Sequence, residues 1–134
     1  MLHGDALPGP ERLAGLAAEF EADTGVPCTV ATTGGSGRDL GADGRLTLYR
    51  VTQEALTNIR KHARAGRVEI HLAHEPSGTR LTIEDFDSCR DRPAPADGTG
   101  YGLTGMRERA ELLGGTLTAG PTGGGFLVEL WVPA

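Results

Sequence analysis

The chain has 134 residues, 38% of them hydrophobic and 4% aromatic, and a net charge of −5. That length holds one domain with a mostly aliphatic core, and the acidic balance argues against a nucleic-acid surface, which needs a basic footprint. No apolar run reaches membrane-spanning length, and Cys28 and Cys89 form neither a disulfide framework nor a metal-binding spacing, which fits a reduced, cytoplasmic setting.

Residues 1–10 are read as a flexible N-terminal stub and 11–134 as the domain. Glu11–Asp23 predicts a helix, with Leu13, Leu16, Ala17 and Phe20 on one stripe and Gly25 as its stop. Pro27–Thr32 predicts a short strand and Gly34–Gly44 a loop, with Asp43 placed to cap a second helix over about Arg45–Ala65. Arg67–Ala73 and Arg80–Asp85 alternate apolar and polar residues around a Pro76-Ser77-Gly78 turn, the pattern of a hairpin with one wet face. Phe86–Asp97 is a polar loop, and Gly102–Leu113 predicts a third helix closed by Gly114 and Gly115. Thr116–Ala119 and Phe126–Val132 predict a closing hairpin in which Phe126, Val128, Leu130 and Val132 face inward, with Trp131 outward and covered by the flank of the first helix. The order predicts an α/β fold, a two-layer sandwich with three helices on one face of a mixed, mostly antiparallel sheet.

Three constellations carry chemistry. On a helix turning roughly 100 degrees per residue, Glu54, Asn58, Lys61 and His62 share one narrow arc. Ala55 and Ile59 fall beside it, so an acid, an amide and two potential cations run along the edge of a buried face. Hard oxygens suit Mg²⁺ and cations suit phosphate oxygens; an ordinary charged border on an amphipathic helix is the plainer reading. Second, alternation turns Asp85 to the same side as Leu81 and Ile83, toward the helices. A buried carboxylate costs several kcal/mol unless it is hydrogen-bonded, and an exocyclic amine of a base would satisfy it; a strand-ending acid that caps a turn is the simpler alternative. Third, Gly98-Thr99-Gly100-Tyr101-Gly102-Leu103-Thr104-Gly105 opens a helix, where backbone N–H groups approach an anion. Gly100, Gly102 and Gly105 match a dinucleotide fingerprint, but a polar loop precedes them and no acid follows near residue 125. A P-loop sequence is absent.

Taken together, Gln53–Ala63 resembles the N box of the ATP-binding domain of bacterial sensor histidine kinases, of the nitrate/nitrite-sensor class. Asp85 resembles the adenine-reading acid of its G1 box, and Gly98–Arg109 its G2 box. The resemblance spans about residues 11–134. It implies the Bergerat-type ATP-binding fold shared with DNA gyrase, a heat-shock chaperone and mismatch-repair ATPases. It further implies that Asn58 coordinates Mg²⁺ and that Glu54 orients a metal-bound water or assists transfer. Lys61 and His62 would touch phosphates, and Asp85 would accept from the adenine amino group. Gly98, Gly100, Gly102 and Leu103 would surround the phosphates, with Phe86–Asp97 as a lid from which Arg90 or Arg92 reaches the γ-phosphate. The implied cofactors are ATP and Mg²⁺. The implied partners are a histidine phosphoacceptor and dimerisation domain and, downstream, a response regulator, with no nucleic-acid or membrane contact by this domain even where the parent protein is membrane-anchored. The chain departs from the family in two places. Asp85-Phe86-Asp87-Ser88-Cys89 lacks both glycines of Asp-x-Gly-x-Gly, and Phe126 replaces a small polar residue, read as a packing change. None of the four histidines has the context of a phosphoacceptor helix. A degenerate, non-catalytic module of the same fold is the alternative, and a serine kinase of the anti-sigma type the third reading.

Overall fold

A computed structural model describes residues 10–34, 40–86, 89–90 and 103–133. A 3₁₀ turn, Pro10–Arg12, leads into α1 (Leu13–Thr24), followed by β1 (Cys28–Gly34), α2 (Gly41–His62), β2 (Ala63–Arg64), β3 (Arg67–Glu75) and β4 (Gly78–Phe86). Then come β5 (Cys89–Arg90), α3 (Thr104–Leu112), β6 (Thr116–Pro121) and β7 (Phe126–Pro133). Five strands form one sheet in the order β1-β3-β4-β7-β6, and β2 pairs with β5 in a separate ladder. Only the β1–β3 pairing in the large sheet is parallel, so the mixed, mostly antiparallel α/β sandwich expected from the sequence is the fold observed.

The register explains the core. Cross-strand partners on an antiparallel sheet share a face, and three rows of inward side chains cross this one. Leu72, Leu81, Leu130 and Leu117 make the first row, and Ile70, Ile83, Val128 and Ala119 the second. Val68, Asp85 and Phe126 make the third. Over these rows lie Leu48, Val51, Ala55, Leu56 and Ile59 of α2 and Leu13, Ala17 and Phe20 of α1, all buried. Their helical spacing is the reason both segments fold as amphipathic helices. Gly25 ends α1 in the left-handed region at φ 77°, its N–H donating to the Glu21 carbonyl at 2.8 Å. α3 is tied down by Arg107 Nε, which donates to the Leu117 carbonyl at 3.1 Å.

Several boundaries differ from the sequence reading. α2 begins at Gly41, so Asp43 lies in its first turn, where an acid complements the helix dipole, and not at the cap. It ends at His62, because Ala63 and Arg64 pair with Arg90 and Cys89. Two-residue strands leave no periodicity to read, which is why Phe86–Asp97 was expected as loop throughout. β1 runs two residues past Thr32, reaching Gly34, which pairs with His74. The hairpin turn is tighter than expected, with Gly78 already in β4 opposite Glu75 and Pro133. A Cβ on Gly78 would strike the Trp131 ring, so glycine there makes room for the indole. Trp131 is covered by Arg80, whose guanidinium lies 4.9 Å from the ring centroid while Nη1 meets Glu129 Oε2 at 2.6 Å. The expected cover from the first helix is replaced by this local one, because the indole points away from the helical layer. The stub 1–10 lies outside the described residues except for Pro10.

Cys28 sits buried at the start of β1, its N–H donating to Glu21 Oε1 at 3.1 Å. Burial first, and the nearby Glu21 carboxylate second, push its thiol from the ordinary 9.0 up to about 11. The fold favours the protonated form, so this contribution to stability is whole below pH 9.0 and is lost as the pH rises toward about 11. At pH 8, iodoacetamide should therefore modify Cys28 at least about tenfold more slowly in the folded chain than in urea, since the thiolate is the nucleophile. Peptide mapping of the alkylated site over time measures this, and equal rates would contradict the burial.

Candidate functional site at the end of β4

The third inward row breaks the apolar pattern. Asp85 lies between Val68 and Phe126, is 0% exposed, and its Oδ1 accepts the Phe126 N–H at 3.0 Å. Leaving a buried carboxylate unbonded costs several kcal/mol, so this backbone donor is part of what holds the acid in place. The neighbouring glycine allows the approach: a Cβ on Gly125 would strike the Asp85 carbonyl oxygen and carboxylate. Asp85 therefore keeps its orientation through the strand that follows three consecutive glycines, Gly123–Gly125.

Above Asp85 runs the edge of α2. Asn58 is buried at 8% exposure and shares a cavity with Asp85, lined otherwise by Ala55, Ile59, Ile83, Leu103, Phe126 and Val128. The cavity measures about 10 Å³, room for a single water. Two polar side chains thus converge on an apolar slot between helix and sheet, the usual composition of a small-molecule site. Glu54 lies one turn before Asn58 and is half-buried; Lys61 lies nearly one turn after it and is exposed. Leu103, buried immediately before α3, brings the start of that helix to the slot.

Of the residues singled out in the sequence, the structure brings Asn58, Asp85 and Leu103 to one cavity, with Glu54 and Lys61 on the same helix beside it. His62 ends α2, but its side chain lies outside the described residues, as do Gly98, Gly100, Gly102, Asp87, Arg92 and the side chains of Cys89 and Arg90. The backbone of Cys89 and Arg90 forms β5, not a loop. Phe126, like Ala55, Ile59, Ile83 and Val128, lines the cavity although the sequence offers it only a packing role. Its inward direction was legible from alternation with Val128, whereas its position opposite Asp85 depends on register, which sequence does not display. Among the described residues no cluster of three or more metal-ligating His, Cys, Asp or Glu side chains occurs, and no helix is long and apolar enough to cross a membrane.

Residues 43–134 match the family model described as histidine kinase-, DNA gyrase B- and HSP90-like ATPase. The chain belongs to this family. It is 35% identical over 134 residues to the sensor histidine kinase YxjM of Bacillus subtilis, covering 99% of this chain and 32% of that protein. It is 48% identical over 80 residues to the signal transduction histidine-protein kinase/phosphatase UhpB of Salmonella typhimurium, covering 60% and 16%. Identity to the nitrate/nitrite sensor protein NarQ of Escherichia coli is 40% over 93 residues, covering 68% and 16%. The chain thus spans a third or less of each of these relatives. Its ATPase-family fold also superposes on the Acinetobacter baumannii histidine kinase AdeS with a TM-score of 0.67 at 17% identity, covering 92% of this chain and 61% of that one. The ATP-binding domain of PrrB from Mycobacterium tuberculosis gives 0.63 at 20%, covering 92% of each chain. At such identities the superpositions speak for the fold alone. Family membership agrees with the resemblance read from Gln53–Ala63, Asp85 and Gly98–Arg109, and leaves the dinucleotide reading without support.

Replacing Gly125 by alanine tests how the acid is held. The added methyl meets backbone, which yields less readily than a side chain, so destabilisation of about 1–3 kcal/mol is expected. Urea unfolding of Gly125→Ala beside Gly123→Ala, where a Cβ meets nothing within 4 Å, measures the difference. Equal midpoints for the two variants would show that the close approach does not matter.

Proposed function

We propose that this chain is the ATP-binding catalytic module of a two-component sensor histidine kinase, a cytoplasmic domain that donates the γ-phosphoryl group of ATP to a histidine on a separate dimerisation domain. The observation that carries the reading is the cavity shared by Asn58 and Asp85, within a chain of the ATPase family whose relatives are sensor kinases. Asp85, held by the Phe126 N–H, presents a fixed acceptor at the floor of an apolar slot, suited to the amino group of adenine. Asn58 and Glu54 offer an amide and a carboxylate oxygen one helical turn apart, hard ligands of the kind Mg²⁺ takes alongside substrate phosphates. A magnesium ion bound there supplies neutralisation of phosphate charge.

The chain's own contribution is positioning. Lys61, exposed near the end of α2, is assigned to phosphate oxygens, and His62, Gly98, Gly100 and Gly102 are assigned to the phosphates through the resemblance of their motifs alone. Little covalent chemistry falls to the protein in phosphoryl transfer, so binding geometry and charge are most of catalysis. The acceptor histidine, and after it a response regulator, lie on other domains or proteins. On this reading the domain itself is assigned no contact with membrane or nucleic acid, and a membrane anchor, where the parent protein has one, lies outside it. A second reading, a non-catalytic module of the same fold, draws on the narrowness of the slot and on Asp87 and Cys89 in place of glycines.

Calorimetric titration with ATP and ADP, with and without Mg²⁺, tests the proposal. Asp85→Asn should weaken adenine-nucleotide binding by about 1.5–3 kcal/mol, the worth of a hydrogen bond to a charged group; unchanged affinity would remove the base-reading role. Asn58→Ala should make binding indifferent to Mg²⁺, whereas a metal dependence equal to wild type would place the ion elsewhere. Binding without phosphoryl transfer to a supplied acceptor domain would favour the non-catalytic reading.

A further inference from the structure

Resting on the nucleotide-binding reading above, the cavity raises a question of space. An enclosed apolar volume of roughly 150 Å³ is what a benzene ring needs, and cofactor sites run to roughly 300–1,000 Å³. The slot beside Asp85 measures about 10 Å³. A purine is larger than benzene, so as the described side chains stand the slot has no room for a base against the carboxylate.

Phe126 is the side chain placed to do this. It is the largest residue lining the slot, and it stands directly opposite Asp85 in the β4–β7 register, on the same face. Its own N–H bonds the Asp85 carboxylate, so the ring and the acid leave the sheet side by side. Leu103 and Ile83 also line the slot and, like Phe126, are buried; Phe126 differs in standing opposite Asp85 and in opening its strand directly after Gly125. A turn of the ring about its own side-chain bonds would leave the backbone N–H bond to Asp85 in place.

We propose that Phe126 is the affinity-determining residue of the base subsite: its ring fills the place beside Asp85 that the base takes, and nucleotide binds only to the fraction of molecules in which the ring has turned out. A cleft open in about one molecule in ten lowers apparent affinity about tenfold, and one in a hundred about a hundredfold. The loss is the same for every adenine nucleotide, because the ring stands at the base end and not among the phosphates.

The test titrates ATP and ADP into the wild-type chain and into Phe126→Leu, Phe126→Thr and Asp85→Asn, with circular dichroism and thermal unfolding recorded for each. Affinity should rise a few-fold for Phe126→Leu and at least about tenfold for Phe126→Thr, by equal factors for ATP and ADP, while both variants melt earlier because apolar burial is lost. Tighter binding in a less stable protein is a combination that a purely structural phenylalanine does not produce. Folded Phe126→Leu with unchanged or weaker affinity overturns the inference; if Asp85→Asn still loses affinity in that case, the nucleotide site stands and only the role of Phe126 falls. No binding by any form at millimolar nucleotide overturns both. Binding by Phe126→Thr where the wild type shows none supports both.

Discussion

One buried carboxylate organises this end of the molecule. Asp85 occupies a position in the third inward row that, by the logic of the first two, belongs to an aliphatic residue. A charge or polar group placed there is tolerated only with bonding partners, and the Phe126 N–H is one of them. That bond needs β7 to begin opposite Asp85, one residue before the end of β4, which in turn needs Gly125 to carry no side chain. The chain therefore accepts a local cost to stability at one row of an otherwise apolar sheet. Such a departure from core patterning is what a functional site looks like when the rest of the fold obeys the rules.

The sheet and α2 then divide the work. The sheet supplies a rigid floor, because its first two rows are closed by Leu, Ile and Val packed under α2. The helix supplies an edge on which polar side chains recur every turn, from half-buried Glu54 through buried Asn58 to exposed Lys61. The step from buried Asn58 to exposed Lys61 along one helix suits a ligand with an apolar ring at one end and charge at the other. The family is one of ATPases, and a mostly apolar slot with two polar side chains is the ordinary composition of a small-molecule site.

Much of this was legible in the sequence, for identifiable reasons. Long segments with strict periodicity, such as Val68–Leu72 and the stripe through α1, declare their faces because burial enforces the pattern. Asp85 declared itself by contradicting that pattern. What stayed hidden is non-local. The parallel pairing of β1 on β3 and the opposition of Phe126 to Asp85 are matters of register between distant segments. The ladder of Ala63–Arg64 with Cys89–Arg90 is too short to leave a periodic trace. The start of α2 reads as near Arg45 in the sequence and lies at Gly41, because an acid before a helix and an acid within its first turn look alike when only the sequence is seen.

That small ladder has a mechanical consequence. It fastens the chain leaving α2 to the chain leaving β4, and beside it the Gly66 N–H donates to the Phe86 carbonyl at 2.8 Å. The helix that carries Asn58 and the strand that carries Asp85 are thus joined twice, through the core beneath them and through backbone bonds at their far ends. The two walls form a closed hoop. A rotation of side chains at the opening, as proposed for Phe126, would leave every bond of that hoop in place.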